Sequence, residues 1–312
     1  MKTTHQMGPT EWALLLLLAS LWGSSFLFMK VAVQELPVLT VALGRIGLAA
    51  LAMLLYIRLT GQRLPSDGKS WRQLMLLGFL RAGLPITLFV WAGTRIDSNL
   101  SGILNSTTPL FTALVAHFFT QDERLTRWRL LGIISGMIGV IFLIGPSALQ
   151  GLGGNVLGQL AVLVATCSYG FAAVYGRRFK EMPVAVSTAG LLCTATVMIL
   201  PLALWIDQPW QLRPTALAPV AAVVALALFN TAIAFVVWLT LVLRAGANNS
   251  SQVTFIIPLF ALLLGYLVLG ERPGWNALAG LVFILGGLFL AQGRLSTPRL
   301  ANPTGSPTRR VG

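Results

Sequence analysis

The chain has 312 residues, of which 56% are hydrophobic and only 10% charged, and its mean hydropathy is +0.79. Soluble domains carry roughly 25% charged residues, so this composition excludes an ordinary soluble protein and predicts one embedded in a lipid bilayer. The formal net charge of +13 does not indicate nucleic-acid binding, because the basic residues lie in short loops between apolar runs and form no stripe with interleaved aromatic side chains.

The sequence offers no catalytic or metal-binding constellation. Cys167 and Cys193 lie inside apolar stretches, and His5 and His117 have no zinc-binding spacing. The run 68–70, Gly-Lys-Ser, resembles the end of a phosphate-binding loop, but position 63 holds Arg where that motif requires Gly. We therefore expect no cofactor, no metal and no enzymatic activity.

Apolar segments of about 20 residues, each long enough to cross a bilayer, follow one another from the N-terminus with little between them. The predicted spanning helices are 12–31, 37–57, 73–94, 99–119, 129–145, 156–176, 183–206, 215–242, 248–269 and 275–292. The expected fold is an all-α membrane protein with ten transmembrane helices. The first apolar run is expected to be a retained helix rather than a signal peptide, and the Pro-, Ser- and Arg-rich tail 293–312 is expected to be disordered and cytoplasmic.

The distribution of Lys and Arg between alternate loops predicts the orientation, because cytoplasmic loops carry the excess of positive charge. With a cytoplasmic N-terminus, the inner segments hold Lys2, Arg58, Arg63, Lys69, Arg72, Arg124, Arg127, Arg129, Arg177, Arg178, Lys180, Arg244, Arg294, Arg299, Arg309 and Arg310, whereas the outer loops hold Arg95, Arg213 and Arg272. Both termini are therefore expected to be cytoplasmic.

The two halves of the chain repeat one another in order. Glu-Leu-Pro-Val at 35–38 corresponds to Glu-Met-Pro-Val at 181–184, and Pro-Leu-Phe at 109–111 to the same triplet at 258–260. Trp22 corresponds to Tyr169, each followed by Gly, and the Glu-Arg pairs 123–124 and 271–272 also correspond. We predict two repeats, 12–145 and 156–292. Because five helices is an odd number, the second repeat should be inverted, which is the architecture of alternating-access transporters.

The sequence resembles EamA-type members of the drug/metabolite transporter superfamily. The resemblance is carried by LWGSSFLFMK at 21–30, the run with Arg45 at 37–51, the block 105–140 and its second-half equivalent 254–287. It implies export or exchange of amino acids or related small metabolites across a bacterial inner membrane. Nucleotide-sugar and anionic-metabolite exchangers belong to the same superfamily and stay open as alternatives.

Three basic residues fall within the predicted spans, namely Lys30, Arg45 and Arg81. Lys30 lies near an outer helix end, from which its long side chain can reach the interface. Counting at 1.5 Å per residue places Arg45 and Arg81 about 12–14 Å into the membrane. A charge there is costly unless it faces water or a partner. Arg81 is a candidate for binding a substrate carboxylate or for a structural hydrogen bond, and Arg45, which belongs to the family pattern, is a candidate for a gating or scaffold role.

The fourth and ninth predicted helices each combine polar residues with a proline, Pro109 in one and Pro258 in the other. Interrupted helices at matching places in inverted repeats point to a binding site, although Ser and Thr hydroxyls also simply satisfy the carbonyls that a proline frees. The repeat places Asn230 at the position equivalent to Arg81. The remaining candidate substrate-binding residues are Trp22, Tyr169, Asn105, Thr108, Asn230 and Thr254. Trp22 and Tyr169 are the aromatic pair that the repeat aligns.

Gly132 and Gly136 form a GxxxG motif on the fifth helix, which predicts close packing against the tenth helix. All nine acidic residues fall in loops or at helix ends, so the sequence gives no support for proton coupling through a carboxylate in the membrane. The prediction is a secondary transporter of a small molecule. An integral membrane enzyme is disfavoured because no catalytic set is evident, and a scaffold or receptor because neither needs an inverted duplication.

Overall fold

The computed structural model describes residues 7–120, 126–148, 154–213 and 215–291, and in these ranges every regular element is helical. The α-helices are α1 (Pro9–Ala32), α2 (Val38–Leu59), α3 (Gly68–Gly78), α4 (Leu84–Gly93), α5 (Ser98–Asn105), α6 (Thr108–Phe119), α7 (Arg127–Ala148), α8 (Gly154–Gly176), α9 (Val184–Leu202), α10 (Leu217–Ala227), α11 (Ala234–Ser250), α12 (Val253–Leu269) and α13 (Trp275–Ala291). The predicted tail 293–312 lies outside the described residues.

Six helical stretches are long and apolar enough to cross a membrane, and two apolar helices are shorter. The six are Pro9–Ala32, Val38–Leu59, Gly68–Gly93, Asn155–Phe179, Val184–Asp207 and Leu217–Gly246, and the shorter two are Val253–Leu269 and Trp275–Ala291. This confirms the expectation of an all-α membrane protein. The count of ten spans and the inverted relation of the halves stay predictions.

Helix boundaries follow from the prolines and carboxylates in the connecting segments. Pro9 occupies the first turn of α1, where its missing N–H costs nothing, and the Glu11 carboxylate accepts a 3.1 Å hydrogen bond from the Gly8 N–H. Pro37 and Pro183 stand immediately before α2 and α9, at equivalent places in the repeat. The Asp67 carboxylate caps α3 by accepting from the Ser70 N–H at 2.7 Å.

Many large apolar side chains on the outside of the helices are exposed, including Leu51 at 63% and Ile141 at 65%. In a soluble protein such a surface would aggregate, whereas in a bilayer it faces lipid. The interior is built largely from alanine, glycine and medium-sized aliphatic residues, which allow the helices to approach closely.

Glycines bring α7 and α13 together. Gly132 lies against the backbone of Gly287, and a Cβ added at Gly139 would lie 2.7 Å from the Gly280 carbonyl oxygen. The Ser135 hydroxyl also donates a 2.9 Å hydrogen bond to the Phe283 carbonyl. The two helices therefore pack backbone to backbone along a seam that a side chain would obstruct.

A second pair of glycines lets each half approach a helix of the other. A Cβ on Gly23 of α1 would lie 3.0 Å from the Ile257 carbonyl oxygen of α12, and one on Gly170 of α8 would lie 3.1 Å from the Phe111 backbone of α6. These glycines follow the aligned pair Trp22 and Tyr169. Their role is to seat α1 and α8 directly on backbone of the opposite half.

The proline-containing segments are both interrupted, but not at equivalent residues. In the first half the break lies at Ser106 and Thr107, and Pro109 stands at the start of α6. In the second half the break lies at 251–252, and Pro258 is inside α12. The expectation of matching breaks was therefore wrong in register, because each half of the chain bends where its own polar residues supply alternative hydrogen bonds.

One hydrogen-bonding detail is nevertheless shared by the two segments. Three residues before each proline, the backbone N–H donates to the carbonyl three residues earlier and not to the one four residues earlier. Ser106 donates to Ile103 at 3.0 Å, and Phe255 donates to Gln252 at 3.1 Å. A proline ring crowds the carbonyl four residues before it, and a tightened turn there moves that carbonyl aside.

Candidate functional site

Two π-helical turns shape the centre of the protein. One, Phe79–Gly83, joins α3 to α4 and carries Arg81; the other, Leu228–Ile233, joins α10 to α11 and carries Asn230. The offset of 149 that relates Pro109 to Pro258 also relates these two turns. Turns of this kind are rare and frequently lie at functional sites.

Side-chain hydroxyls satisfy the carbonyls that the wide turns leave without a helical partner. Ser168 of α8 donates a 2.8 Å hydrogen bond to the Leu80 carbonyl, and Thr231 donates one of the same length to the Leu226 carbonyl. The backbone is thus locally opened without leaving these carbonyls unpaired in a low-dielectric environment.

Arg81 packs against Tyr169 of α8. Its guanidinium carbon lies 5.6 Å from the centroid of the Tyr169 ring, within the range of a cation–π interaction. The side chain is neither fully buried nor exposed, and no hydrogen bond or ion pair fixes it to another described residue. Its five N–H donors therefore have capacity to bind an added group.

Arg45 of α2 has different surroundings. It donates to the Thr231 hydroxyl at 3.2 Å, to the Met29 sulfur at 3.4 Å and to the Ser25 hydroxyl at 3.4 Å. All three acceptors are neutral and the bonds are long, so they hold the guanidinium in place without neutralising its charge. Arg45 also interacts electrostatically with the phenol of Tyr169. Tyr169 thus interacts with both positive charges.

Asn230 is 1% exposed and is anchored to α1. Its amide group donates to the Leu21 carbonyl and, at 2.8 Å, to the Ser24 hydroxyl. The amide oxygen has no hydrogen-bond partner among the described residues. Asn230 and Arg45 therefore both bind the middle of α1, which ties that helix to the second π-helical turn.

An aromatic row leads away from the cluster. The Phe26 and Phe89 rings lie 5.8 Å apart, and Phe89 stacks on Tyr169 at 6.0 Å with an interplanar angle of 25°. Trp22 lies one helical turn before Phe26 on the same face of α1 and is partly buried against the core. The cationic centre is thus bordered on one side by flat apolar surface.

Several predicted site residues form only local contacts. The Thr108 hydroxyl bonds to the Asn105 carbonyl at 2.7 Å, and the Thr254 hydroxyl bonds to the Ser251 carbonyl at 2.8 Å. Ser and Thr hydroxyls near a proline commonly donate such bonds to freed carbonyls in membrane helices. The structure links neither hydroxyl to the arginine cluster. Lys30 donates to the Ile96 carbonyl at 2.9 Å at the ends of α1 and α4, away from the arginine cluster.

The cluster also contains residues that the sequence did not single out, namely Ser25, Thr231 and Phe89. Ser25 lies within the quoted block 21–30 and Thr231 follows Asn230, so proximity along the chain was the available signal. Phe89 carried none, because one phenylalanine among 16 has no distinguishing pattern. No carboxylate lies beside the two arginines among the residues that the structure describes; Asp122 and Glu123 fall outside them.

The fold and this centre define an integral membrane protein in which interrupted helices surround two partly buried cations, an arrangement typical of transport proteins. The chain belongs to the EamA-like transporter family, whose model matches it twice, over residues 10–145 and 156–292.

Its relatives are transporters by name. It is 25% identical over 281 residues to the uncharacterized transporter YoaV of Bacillus subtilis, covering 86% of this chain and 92% of that protein. It is 28% identical to the uncharacterized inner membrane transporter YedA of Escherichia coli K12, covering 84% and 85%. It is 26% identical to a probable terminal-alkyne amino-acid exporter of Streptantibioticus cattleyicolor, covering 93% and 95%.

The fold is also that of a solved structure. A protein crystal structure superposes with a TM-score of 0.65 at 20% identity and covers 93% of this chain and 99% of the other. At that identity the likeness concerns the fold alone.

Proposed function

We propose that this protein is a secondary transporter that exports amino acids or related small metabolites by alternating access. The observation that carries the proposal is the pair of guanidiniums, Arg45 and Arg81, that both interact with Tyr169. A substrate carboxylate entering there would supply the negative charge that the described surroundings lack. The exporter of Streptantibioticus cattleyicolor supports amino acids as the substrate class.

The proposed architecture is ten spans in two inverted five-helix repeats, which the packing of the glycines supports. Gly132 packs on Gly287, and Gly139 on Gly280. The repeat exchanges Gly132 with Gly280 and Gly139 with Gly287, so the two contacts are copies of one another. Such a self-complementary seam is what a pseudo-two-fold axis produces.

We place the protein in a bacterial inner membrane with both termini in the cytoplasm. The imbalance of Lys and Arg between alternate loops supports this orientation, and one relative is named an inner membrane transporter. The proposed partners are therefore the bilayer and a small-molecule substrate.

Reconstitution into liposomes tests the function directly. Vesicles that contain the purified protein and are loaded with a panel of labelled amino acids should release one or more of these compounds faster than equally loaded vesicles without protein do. If only an anionic compound on the opposite side stimulates release, the protein is an anion exchanger, the alternative that the two partly buried arginines favour. Absence of flux for amino acids and for organic anions would contradict both.

A further inference from the structure

Carboxylates of the connecting loops bind helix N-termini of the opposite half. Three residues do so, Glu35, Asp207 and Glu271, and the proposed orientation places all three at the outer face. Each carboxylate accepts backbone N–H groups at the start of a helix, where the orphan donors and the helix dipole favour a negative charge.

Glu271 makes the most buried of these contacts. It lies between α12 and α13 and is 9% exposed. Its carboxylate accepts from the Ser98 N–H at 2.7 Å, the Ser98 hydroxyl at 2.9 Å and the Asn99 N–H at 2.9 Å. All three donors belong to the first turn of α5, in the other half of the protein. Breaking the contact would leave buried donors and a buried charge unpaired.

Asp207 and Glu35 form a reciprocal pair of contacts. Asp207, at the end of the ninth predicted span, accepts from the N–H of Thr40 at 2.6 Å and from its hydroxyl at 3.0 Å, in the first turn of α2. Glu35, just before α2, accepts from the Thr215 N–H at 2.7 Å and the Ala216 N–H at 3.3 Å, just before α10. Each half therefore caps a helix of the other.

At the inner face, the repeat counterpart of Glu271 is Glu123, which lies outside the described residues. Glu181, the repeat counterpart of Glu35, makes no hydrogen bond or ion pair with them, and Asp67 caps only its own helix. One contact between the halves at that face is the 3.6 Å ion pair of Glu11 with Arg244, whose side chain is 55% exposed. An ion pair that exposed adds little stability. The buried Glu271 contact at the outer face is therefore the stronger of these two contacts.

We propose that Glu271, Asp207 and Glu35 hold the outer side of the protein closed, and that their bonds to the opposite half must break for the outer side to open. Glu271 makes the largest contribution because it is the most buried and has three donors.

The charges around these groups are compatible with that role. Hydrogen bonds from Thr215 and Ala216 keep the pKa of Glu35 below its usual value, so this carboxylate is ionised at neutral pH. Burial and the nearby Glu271 raise the pKa of Asp97, whereas Lys30 opposes that rise. Asp97 is thus a like-charged neighbour of Glu271, and the nearby Lys30 ammonium partly offsets the repulsion.

The test measures access to the centre from outside. Ser25 is replaced by Cys in a Cys167→Ala, Cys193→Ala background, and intact cells are treated with a membrane-impermeant maleimide. Glu271→Gln keeps the shape of the side chain but removes its charge and one acceptor. We expect it to speed labelling of position 25 about ten-fold, as loss of a charged hydrogen-bond set shifts a two-state equilibrium. Asp207→Asn and Ser98→Ala should speed it less.

Glu181→Gln is the matched control, since it changes the same residue type at the opposite face and should leave labelling unchanged. If Glu271→Gln does not fold, Asp207→Asn and Ser98→Ala still carry the test. Labelling at the parental rate in folded variants, or equal acceleration by Glu181→Gln, would overturn the proposal. The inference rests on the proposed orientation but not on a substrate, so a negative liposome assay leaves it standing.

Discussion

Arg81 and Arg45 have the same charge at similar predicted depths but different chemical roles. Arg45 is held by three neutral side chains from two other helical segments, whereas Arg81 touches the face of one aromatic ring. Residue counting from the loops could place both near the midplane. It could not identify Tyr169 as their shared neighbour, because that contact joins the two halves of the chain.

The first prediction concerns Arg81. Arg81→Gln should weaken binding of a transported amino acid roughly ten- to a hundred-fold, since a charge-assisted hydrogen bond is lost, but should weaken binding of its amide analogue little. Competition assays in proteoliposomes measure both ligands. Arg95→Gln serves as the control, because Arg95 stacks on Trp91 at 3.7 Å just after the end of α4. Equal losses for both ligands in folded protein would make Arg81 a structural residue.

For the acidic residues, the sequence predicts their location but not their contacts. They fall in loops or at helix ends, so the sequence gives no support for a membrane carboxylate. Their function at helix N-termini could not be read, because the partner of Glu271 is 173 residues away in sequence. A capping residue that directly precedes its own helix, such as Asp67, can be recognised from the local sequence. A residue that caps a helix of the other half cannot be recognised in that way.

At the scale of elements, polar residues and prolines decide where helices are interrupted. Both proline segments were expected to break at matching places, and the breaks differ by about one turn. The shared tightened turn before each proline follows from the proline itself, so it is symmetric. The positions of the wider breaks depend on which neighbouring side chains can donate hydrogen bonds to the freed carbonyls, and sequence periodicity does not report that.

Replacing both Pro109 and Pro258 with Ala should slow transport severalfold while leaving the protein folded in the membrane. The restored N–H groups would complete regular helical bonding and stiffen both segments. Initial rates of efflux from proteoliposomes measure the effect, and each single variant should be intermediate. Unchanged rates in the double variant would show that the prolines are neutral in the cycle.

The seam between α7 and α13 gives a prediction about stability. Gly132→Ala places a methyl group against the backbone of Gly287, so we expect a loss of about 1–3 kcal/mol despite the better helix propensity of alanine. Gly286→Ala on the facing helix is the control, because a Cβ there meets no atom within 4 Å. Thermal unfolding in detergent should show a lower midpoint for the first variant only. A Gly132→Ala protein as stable as the parent would contradict the close packing.

At the scale of the whole molecule, hydrophobic run length and loop charge carried most of the sequence prediction. They gave the membrane class and most helix boundaries to within a few residues, since lipid imposes one length and one polarity on every span. They could not predict that the third and eighth spans would each contain a π-helical turn. That depends on Ser168 and Thr231 meeting particular carbonyls.

The orientation is tested by reporter fusions. A reporter placed after Gly293 and another in the 61–70 loop should both be active only as cytoplasmic reporters, because both sites adjoin arginine-rich segments. A control fusion in the 208–213 loop should show periplasmic activity. A periplasmic signal from either of the first two would overturn the predicted orientation and the number of spans.

The glycine seam between α7 and α13 also bears on how such a chain can be assembled. Each half carries a surface that recognises the other through two equivalent contacts, so the information for pairing lies in the halves themselves. The covalent link from residue 148 to residue 154 is then only a tether that raises the local concentration of one half around the other. Two separate polypeptides ending and beginning there should find each other in the bilayer and work as a heterodimer.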